Sequence, residues 1–338
     1  MAATIKDVCR VTGLSQGTVS KYLNNKPVSQ KNCEKIRVAI EELGYKVNNI
    51  ARGLRTNSAR TIGILVPDMG NILSTAIIET VESMLTMQQY SSIICFHHSD
   101  PLLELEKLEF LLSRQVDGLI IMPSEQSQLK GFNRLVETSQ HGIPIIIFNA
   151  TVPGLNCDTV MIDNYDAAYT AVQQAFLAGH NNIGLVVASQ NTQPTIQRIK
   201  GYEQAYIDEG LPVNKNYIQI CKTPGKTASY DACLDFFLKN RKVTAVIATG
   251  YRTVLGCKKA IDQMLMRENR NILLIGFDCG DIADILSPEI SYVNFPSKEV
   301  AKNIVTLLMK RIGEDYTGMP CMMNIGINYI ACNKASNE

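Results

Sequence analysis

From Thr61 onward, the 338-residue chain alternates short β-branched runs with longer helical stretches. The runs are TIGILVP, SSIICF, DGLIIMP, PIIIFN and TVMID, followed by NIGLVVA, VTAVIAT and NILLIGF. A strand that reads as a continuous apolar run must be covered on both faces, and the intervening helical stretches supply the cover. The pattern therefore predicts parallel α/β units. TIGILV and NIGLVV open two similar halves, near 61–160 and 163–290, which implies two doubly wound lobes. With 46% apolar residues the chain can bury cores of that size.

Loops beyond the carboxyl ends of such strands carry function, and two facing lobes form a cleft for a small molecule. The candidates at those positions are Asn71, Leu73 and Ser74 after VPDMG, Ser124 after IIMP, Asn149 after IIIF, Arg198 before GYEQA, Asp278 after IGF, and Phe295. Runs near 290–293 and 321–330 return to the lobes, so three crossings between lobes are expected, enough to make a hinge.

The first sixty residues read differently. Thr4 ahead of IKDVCRV, with Asp7 three positions on, suggests a capped helix that Gly13 ends. Ser15 can cap a second helix, QGTVSKYL, and Ser29 a third that stops at Gly44. Ile5, Val8, Leu14, Val19, Leu23, Ile36, Ile40 and Leu43 recur at helical spacing and can fill one small core. Gln16, Gly17, Ser20 and Lys21 are left pointing outward. This segment holds eleven Lys or Arg against four acids, a net +7, whereas the remainder of the chain is −6. A basic head on an acidic body fits a polyanion, because neutralised phosphates release counterions. An outward helix turn bearing an amide and small residues suits the major groove, where Gln can pair with base edges and Ser, Thr and helix N–H groups hold phosphates.

The stretch TIKDVCRVTGLSQGTVSKYLNN, then VS, EELGYKVNNIARGLR and RTIGILVPD, resembles the start of a LacI-family bacterial transcription regulator, and the resemblance continues in weaker form to about residue 330. It implies an all-α helix-turn-helix head at 1–47, a hinge at 48–60 and an effector-binding core at 61–338. The core would have two doubly wound parallel-sheet lobes of periplasmic-binding-protein type, about 61–160 with 293–320 and 163–290 with 321–332. It also implies a DNA-contacting set of Thr4, Ile5, Ser15, Gln16, Gly17, Thr18, Ser20, Lys21 and Asn24, with Asn48, Arg52, Leu54 and Arg55 from the hinge.

Within that set, Gln16 and Gly17 take the base-reading positions, and Lys21 stands where the family carries an Arg. Lys lacks the two-pronged grip of Arg on guanine, so a different operator is expected. Leu54 would be a minor-groove wedge, the other reading being an ordinary buried residue. Val47 replaces a common Pro, and Gly53 lowers helix propensity by about 1 kcal/mol against Ala. Arg198 matches the family's effector-binding arginine and Asp278 the acid that accepts from sugar hydroxyls; a surface salt bridge and a helix N-cap are their alternatives. The family's NPFF is replaced by Asn71, Ile72, Leu73 and Ser74, removing an aromatic platform, and its Asn-Asp pair by Gly250 and Tyr251 ahead of Arg252. The implied partners are a pseudo-palindromic double-stranded operator, a small effector of carbohydrate type and a second copy of the chain.

Other functions find little support. No Walker loop, GxSxG, HExxH or GxGxxG after a strand occurs, so no enzyme is expected. His97, His98, His141 and His180 lack metal spacing, ten cysteines lie scattered without a CxxC pair, and neither metal nor cofactor is expected. The N-terminus is charged where an export signal would be apolar, so a cytoplasmic, nucleoid-associated protein is expected and a sugar-transport module is the weaker alternative. An architectural protein binding DNA without sequence preference is a further alternative, disfavoured by the sensing core. No heptad tail is seen, so a homodimer is the default expectation.

Overall fold

The computed structural model describes residues 3–23, 26–45, 58–70, 72–124, 129–188, 192–221, 226–283, 285–286, 290–313 and 318–332. The chain divides into two compact units, Met1–Arg60 and Thr61–Glu338.

The first unit holds helices α1 (Ile5–Thr12), α2 (Gln16–Leu23) and α3 (Gln30–Leu43). At the start of α1 the Asp7 carboxylate accepts the Thr4 amide at 2.9 Å and the Thr4 hydroxyl at 2.7 Å. Those bonds hold the Asp7 carboxyl below its ordinary range. Gly13 ends the helix with φ 66°. Ser15 Oγ accepts the Thr18 amide at 3.3 Å and so caps α2. Ser29 stands at the N-cap of α3 in extended conformation but makes no side-chain cap bond. Val8, Val19, Ile36 and Ala39 form the buried centre, ringed by Ile5, Leu14, Leu23, Ile40 and Leu43 and by Cys9, Tyr22 and Tyr45.

The second unit contains two six-stranded sheets. The first uses β1 (Thr61–Val66), β2 (Ser91–Phe96), β3 (Gly118–Ile121), β4 (Ile145–Phe148) and β5 (Asp158–Ile162), joined by α4 (Ile72–Met87), α5 (Pro101–Ser113) and α6 (Leu129–Gln140). The second uses β6 (Ile183–Val187), β7 (Ile218–Ile220), β8 (Ala245–Ala248), β9 (Leu273–Phe277) and β10 (Ser291–Asn294). Its helices are α7 (Asn164–Leu177), α8 (Gln193–Asp208), α9 (Lys226–Lys239), α10 (Tyr251–Glu268) and the short α11 (Gly280–Ala283). The chain then returns through α12 (Ser297–Ile312), β11 (Met322–Ile325) and β12 (Asn328–Ile330).

Strand order is β11-β5-β4-β3-β1-β2 in one lobe and β12-β10-β9-β8-β6-β7 in the other. Among the described residues every pairing is parallel except that of β12 with β10. Order reverses between β1 and β3 and between β6 and β8, which places binding loops beyond those strand ends. The sequence puts residues 321–332 in the second lobe. The structure instead pairs Met322–Ile325 with β5 in the first sheet, so the last crossing falls at residues 326–327. Asp158 explains the shift: Arg311 of α12 donates to both its oxygens at 2.6 and 2.9 Å, and the Cys321 amide donates to Oδ1 at 2.9 Å, which seats the returning chain beside β5.

Helix α4 sets Ile77, Ile78, Val81 and Leu85 into the core against the first sheet. Helices α7 and α8 approach closely at Gly201, where an added Cβ would lie 2.1 Å from the Tyr165 carbonyl oxygen. Among the described residues no helix is long and apolar enough to cross a membrane.

Candidate nucleic-acid interface and effector cleft

Of the α2 residues expected to point outward, Gln16, Gly17 and Lys21 are exposed and Ser20 is not fully so. Val19 is fully buried, while Gly17 and Lys21 lie on the far side of the helix from it and are exposed, and Ser15 and Gln16 are exposed at the helix start. Thr18 and Ser20 are half-buried. The Ser15 and Thr18 hydroxyls lie 3.0 Å apart at the head of the helix. Thr4 is exposed at the start of α1, whereas Ile5 is half-buried and packs into the head core. Gly17 carries no neighbour nearer than 3.8 Å to the place a Cβ would occupy, so the helix surface there is open. Asn24, Asn48, Arg52, Leu54 and Arg55 lie outside the described residues, as do Val47 and Gly53.

In the core, strand ends of the two lobes and helix α8 bring Asn149, Asp278, Phe295 and Arg198 together. Asn149, just past β4, adopts φ 54° and is buried. Its Oδ1 accepts Nδ2 of Asn164 at 2.9 Å, and Oδ1 of Asn164 accepts Nε of Arg198 at 2.9 Å. Arg198 Nη1 donates to the Thr249 carbonyl at 2.6 Å. The guanidinium carbon lies 5.3 Å from the ring centre of Phe277 and 5.8 Å from that of Phe295, and the two rings meet edge-on.

Burial lowers the Arg198 pKa to about 10, with Asp278 opposing the shift. Asp278 follows β9 at φ 51°, and its own carboxyl is pushed up to about 7 by burial, against the pull of Arg198 and the Phe295 amide. These neighbours give Arg198 two acceptors and an aromatic bed, and Asp278 beside it is an acceptor whose charge varies near neutrality. Such a pairing suits a ligand rich in hydroxyl groups.

The other predicted cleft residues are engaged within the first lobe. Leu73 is part of its core. Ser74 is buried, with Oγ 3.9 Å from the Met122 sulfur. Ser124 commits both its amide and its hydroxyl to the buried Glu104 carboxylate. Asn71 lies outside the described residues. Two cross-lobe contacts were not legible in sequence. Gln193 Oε1 accepts the Thr151 amide at 2.8 Å while its Nε2 donates to the Thr151 hydroxyl at 2.6 Å, and Arg252 Nη2 faces Asp68 Oδ1 at 3.4 Å. Asn164, the centre of the polar chain, had one available signal: it follows the strand run TVMID directly. Among the described residues no group of three or more His, Cys, Asp or Glu could hold a metal ion.

Comparison with known proteins agrees with both parts. Residues 4–48 match the model described as bacterial regulatory proteins, lacI family, and residues 59–270 match that of periplasmic binding proteins and the sugar binding domain of the LacI family. Similar curated proteins include a probable HTH-type transcriptional regulator, EndR, of Paenibacillus polymyxa, 28% identical over 93% of this chain and 92% of that protein. Catabolite control protein A of Priestia megaterium is 28% identical over 93% of this chain and 94% of its own length. Among solved structures, the lac repressor dimer bound to operator and the anti-inducer ONPF has the same fold, with TM-score 0.83, 18% identity and 98% of each chain covered. A CelR-cellobiose complex matches with TM-score 0.72 and 21% identity, covering 97% of this chain and 98% of that one. With a DNA-binding head and a core of the sugar-binding type both matched, the chain belongs to the LacI family of bacterial regulatory proteins.

Proposed function

We propose that the protein is a homodimeric, cytoplasmic repressor that reads a pseudo-palindromic operator and is switched by a small hydroxyl-rich molecule bound between the two lobes of its core. The observation that carries this reading is the α2 surface: Gln16, Gly17 and Lys21 stand exposed while Val19 anchors the helix in the head core. Gln16 can pair with a base edge in the major groove, and the Ser15 and Thr18 hydroxyls can hold phosphate at the helix start. Lys21 brings a charge without the planar fork of Arg, which favours an operator with fewer two-pronged guanine contacts. A C2 dimer presents two such helices to successive major grooves about one helical turn apart.

The cleft supplies the second half of the function. Asn149, Arg198, Asp278 and Phe295 support ligand recognition, because their polar groups converge where strand ends of two lobes meet. A ligand that binds one degree of lobe closure more tightly than another shifts the population of that state. The lac repressor dimer on operator and the cellobiose complex of CelR, both of this fold, support the same reading here.

The test compares Gln16→Ala with Lys6→Ala, which removes an exposed cation of α1 suited to phosphate rather than bases, on a panel of operator variants. Loss of base preference in the first and uniform weakening in the second is expected. Equal effects across all sequences from both would overturn the readout assignment.

A further inference from the structure

The cleft contains a second guanidinium that the chain from Asn149 to Arg198 does not use. Arg252 stands at the second position of α10, and its Nη2 lies 3.4 Å from Oδ1 of Asp68 on the facing lobe. Both side chains are more than a third exposed, at 40% and 37%. The same Asp68 oxygen accepts the Gly70 amide at 2.5 Å. Gly70 makes room for the guanidinium, since an added Cβ would fall 1.4 Å from Nη2. Charge-assisted N–H···O bonds close to about 2.7–2.9 Å, so the ion pair is loose, and its acceptor is shared. Asp68 is thus a carboxylate from one lobe presented to a cation from the other, in a position that an oxyanion of a ligand can occupy.

Arg198 cannot serve the same purpose to the same extent. Its Nε and Nη1 are committed to Asn164 and the Thr249 carbonyl. Neutral hydroxyl groups are already provided for by Asp278 and Arg198, and nothing in a neutral ligand calls for an additional cation between the lobes.

We propose that the effector carries an oxyanion, and that Arg252 receives it by exchanging Asp68 for the ligand. The inference rests on the effector-cleft reading and narrows it to a small molecule of carbohydrate size bearing a phosphate or carboxylate. The bond made is charge-assisted and spans the lobes through the ligand, so binding reports directly on lobe closure.

The experiment follows thermal unfolding of the full chain with inorganic phosphate, with acetate, and with chloride at equal ionic strength. The wild type is compared with Arg252→Gln, Arg252→Lys and Arg198→Ala. Matched sets of a hexose, its 6-phosphate and its onic acid are run on the same proteins. Phosphate should stabilise the wild type saturably, and its apparent dissociation constant should rise at least about tenfold in Arg252→Gln, with partial recovery in Arg252→Lys. A preference for phosphate over acetate identifies a phosphate ester, and the reverse a sugar acid. Phosphate binding at the basic head contributes equally to all variants and cancels in the comparison. An equal response in wild type and Arg252→Gln, or none in the wild type, overturns the proposal. If a neutral hexose alone stabilises the wild type and Arg198→Ala abolishes that effect, the anion proposal falls while the cleft reading stands. If no stabilisation depends on either arginine, the cleft reading falls as well.

Discussion

Arg198 is tied to the opposite lobe through Asn164, whose Oδ1 accepts the Arg198 Nε at 2.9 Å while its Nδ2 donates to Asn149 at the same distance. Asn164 is the first residue of α7, so a single amide at the start of the second lobe connects the carboxyl end of β4 to the arginine on α8. Asn164→Ala leaves Asn149 Oδ1 and Arg198 Nε without their partner. The expected cost is about 1–3 kcal/mol, seen as faster amide exchange around residues 149–151 and a lower unfolding midpoint.

The acidity of Asp278 gives a pH signature. Its folded carboxyl is raised from 3.8 to about 7, so the native state retains a proton that the unfolded chain has released. The associated stability is fully present below the ordinary carboxylate value and is lost as pH rises through about 7. Denaturant midpoints measured across that window should fall in the wild type relative to Asp278→Asn, which cannot ionise. Parallel curves for the two proteins would contradict the assignment.

Gly201 and Gly17 should respond oppositely to the same substitution. A Cβ at Gly201 meets the Tyr165 carbonyl oxygen at 2.1 Å, a backbone atom that cannot rotate away. Gly201→Ala should therefore cost about 1–3 kcal/mol through separation of α7 and α8. Gly17→Ala meets only Ser15 Oγ at 3.8 Å and should leave the head as stable or raise it by up to about 1 kcal/mol. Thermal unfolding checks both, and operator selection shows whether the added methyl group changes base preference.

Asp158 is wholly buried, and Arg311 supplies both of its charge-assisted bonds from α12. Burial raises the Asp158 carboxyl, but the bonds from Arg311 and the Cys321 amide outweigh it and leave the group below its ordinary value. Arg311→Met strands that charge and should cost roughly 3–5 kcal/mol by urea unfolding. Replacing both residues with apolar side chains should recover most of the loss. A single-variant effect under 1 kcal/mol would show that the pair does not seat β11.

Much of the architecture was legible because apolar periodicity is a local property. The runs ending at Val66, Phe148 and Phe277 are continuous because both sheet faces are covered, and Val8, Val19 and Ile36 recur at the helical period that fills the head. The last crossing was less legible: whether Met322–Ile325 joins β5 or the second lobe depends on Asp158 and Arg311, which lie 153 positions apart. The cleft divides in the same way. Asp278 and Phe295 could be placed from strand ends, while Ser124 could not, since Glu104 on a different helix takes up its polar groups. Asp68 and Arg252 are separated by 184 positions, and no local pattern joins them.

Sequence-specific recognition by the α2 surface is tested most directly by selecting the purified protein against random duplex DNA at physiological salt. Enrichment of one pseudo-palindrome, lost when Gln16 is replaced by Ala, is the predicted result. Binding that follows salt alone, with no sequence enriched, would contradict it.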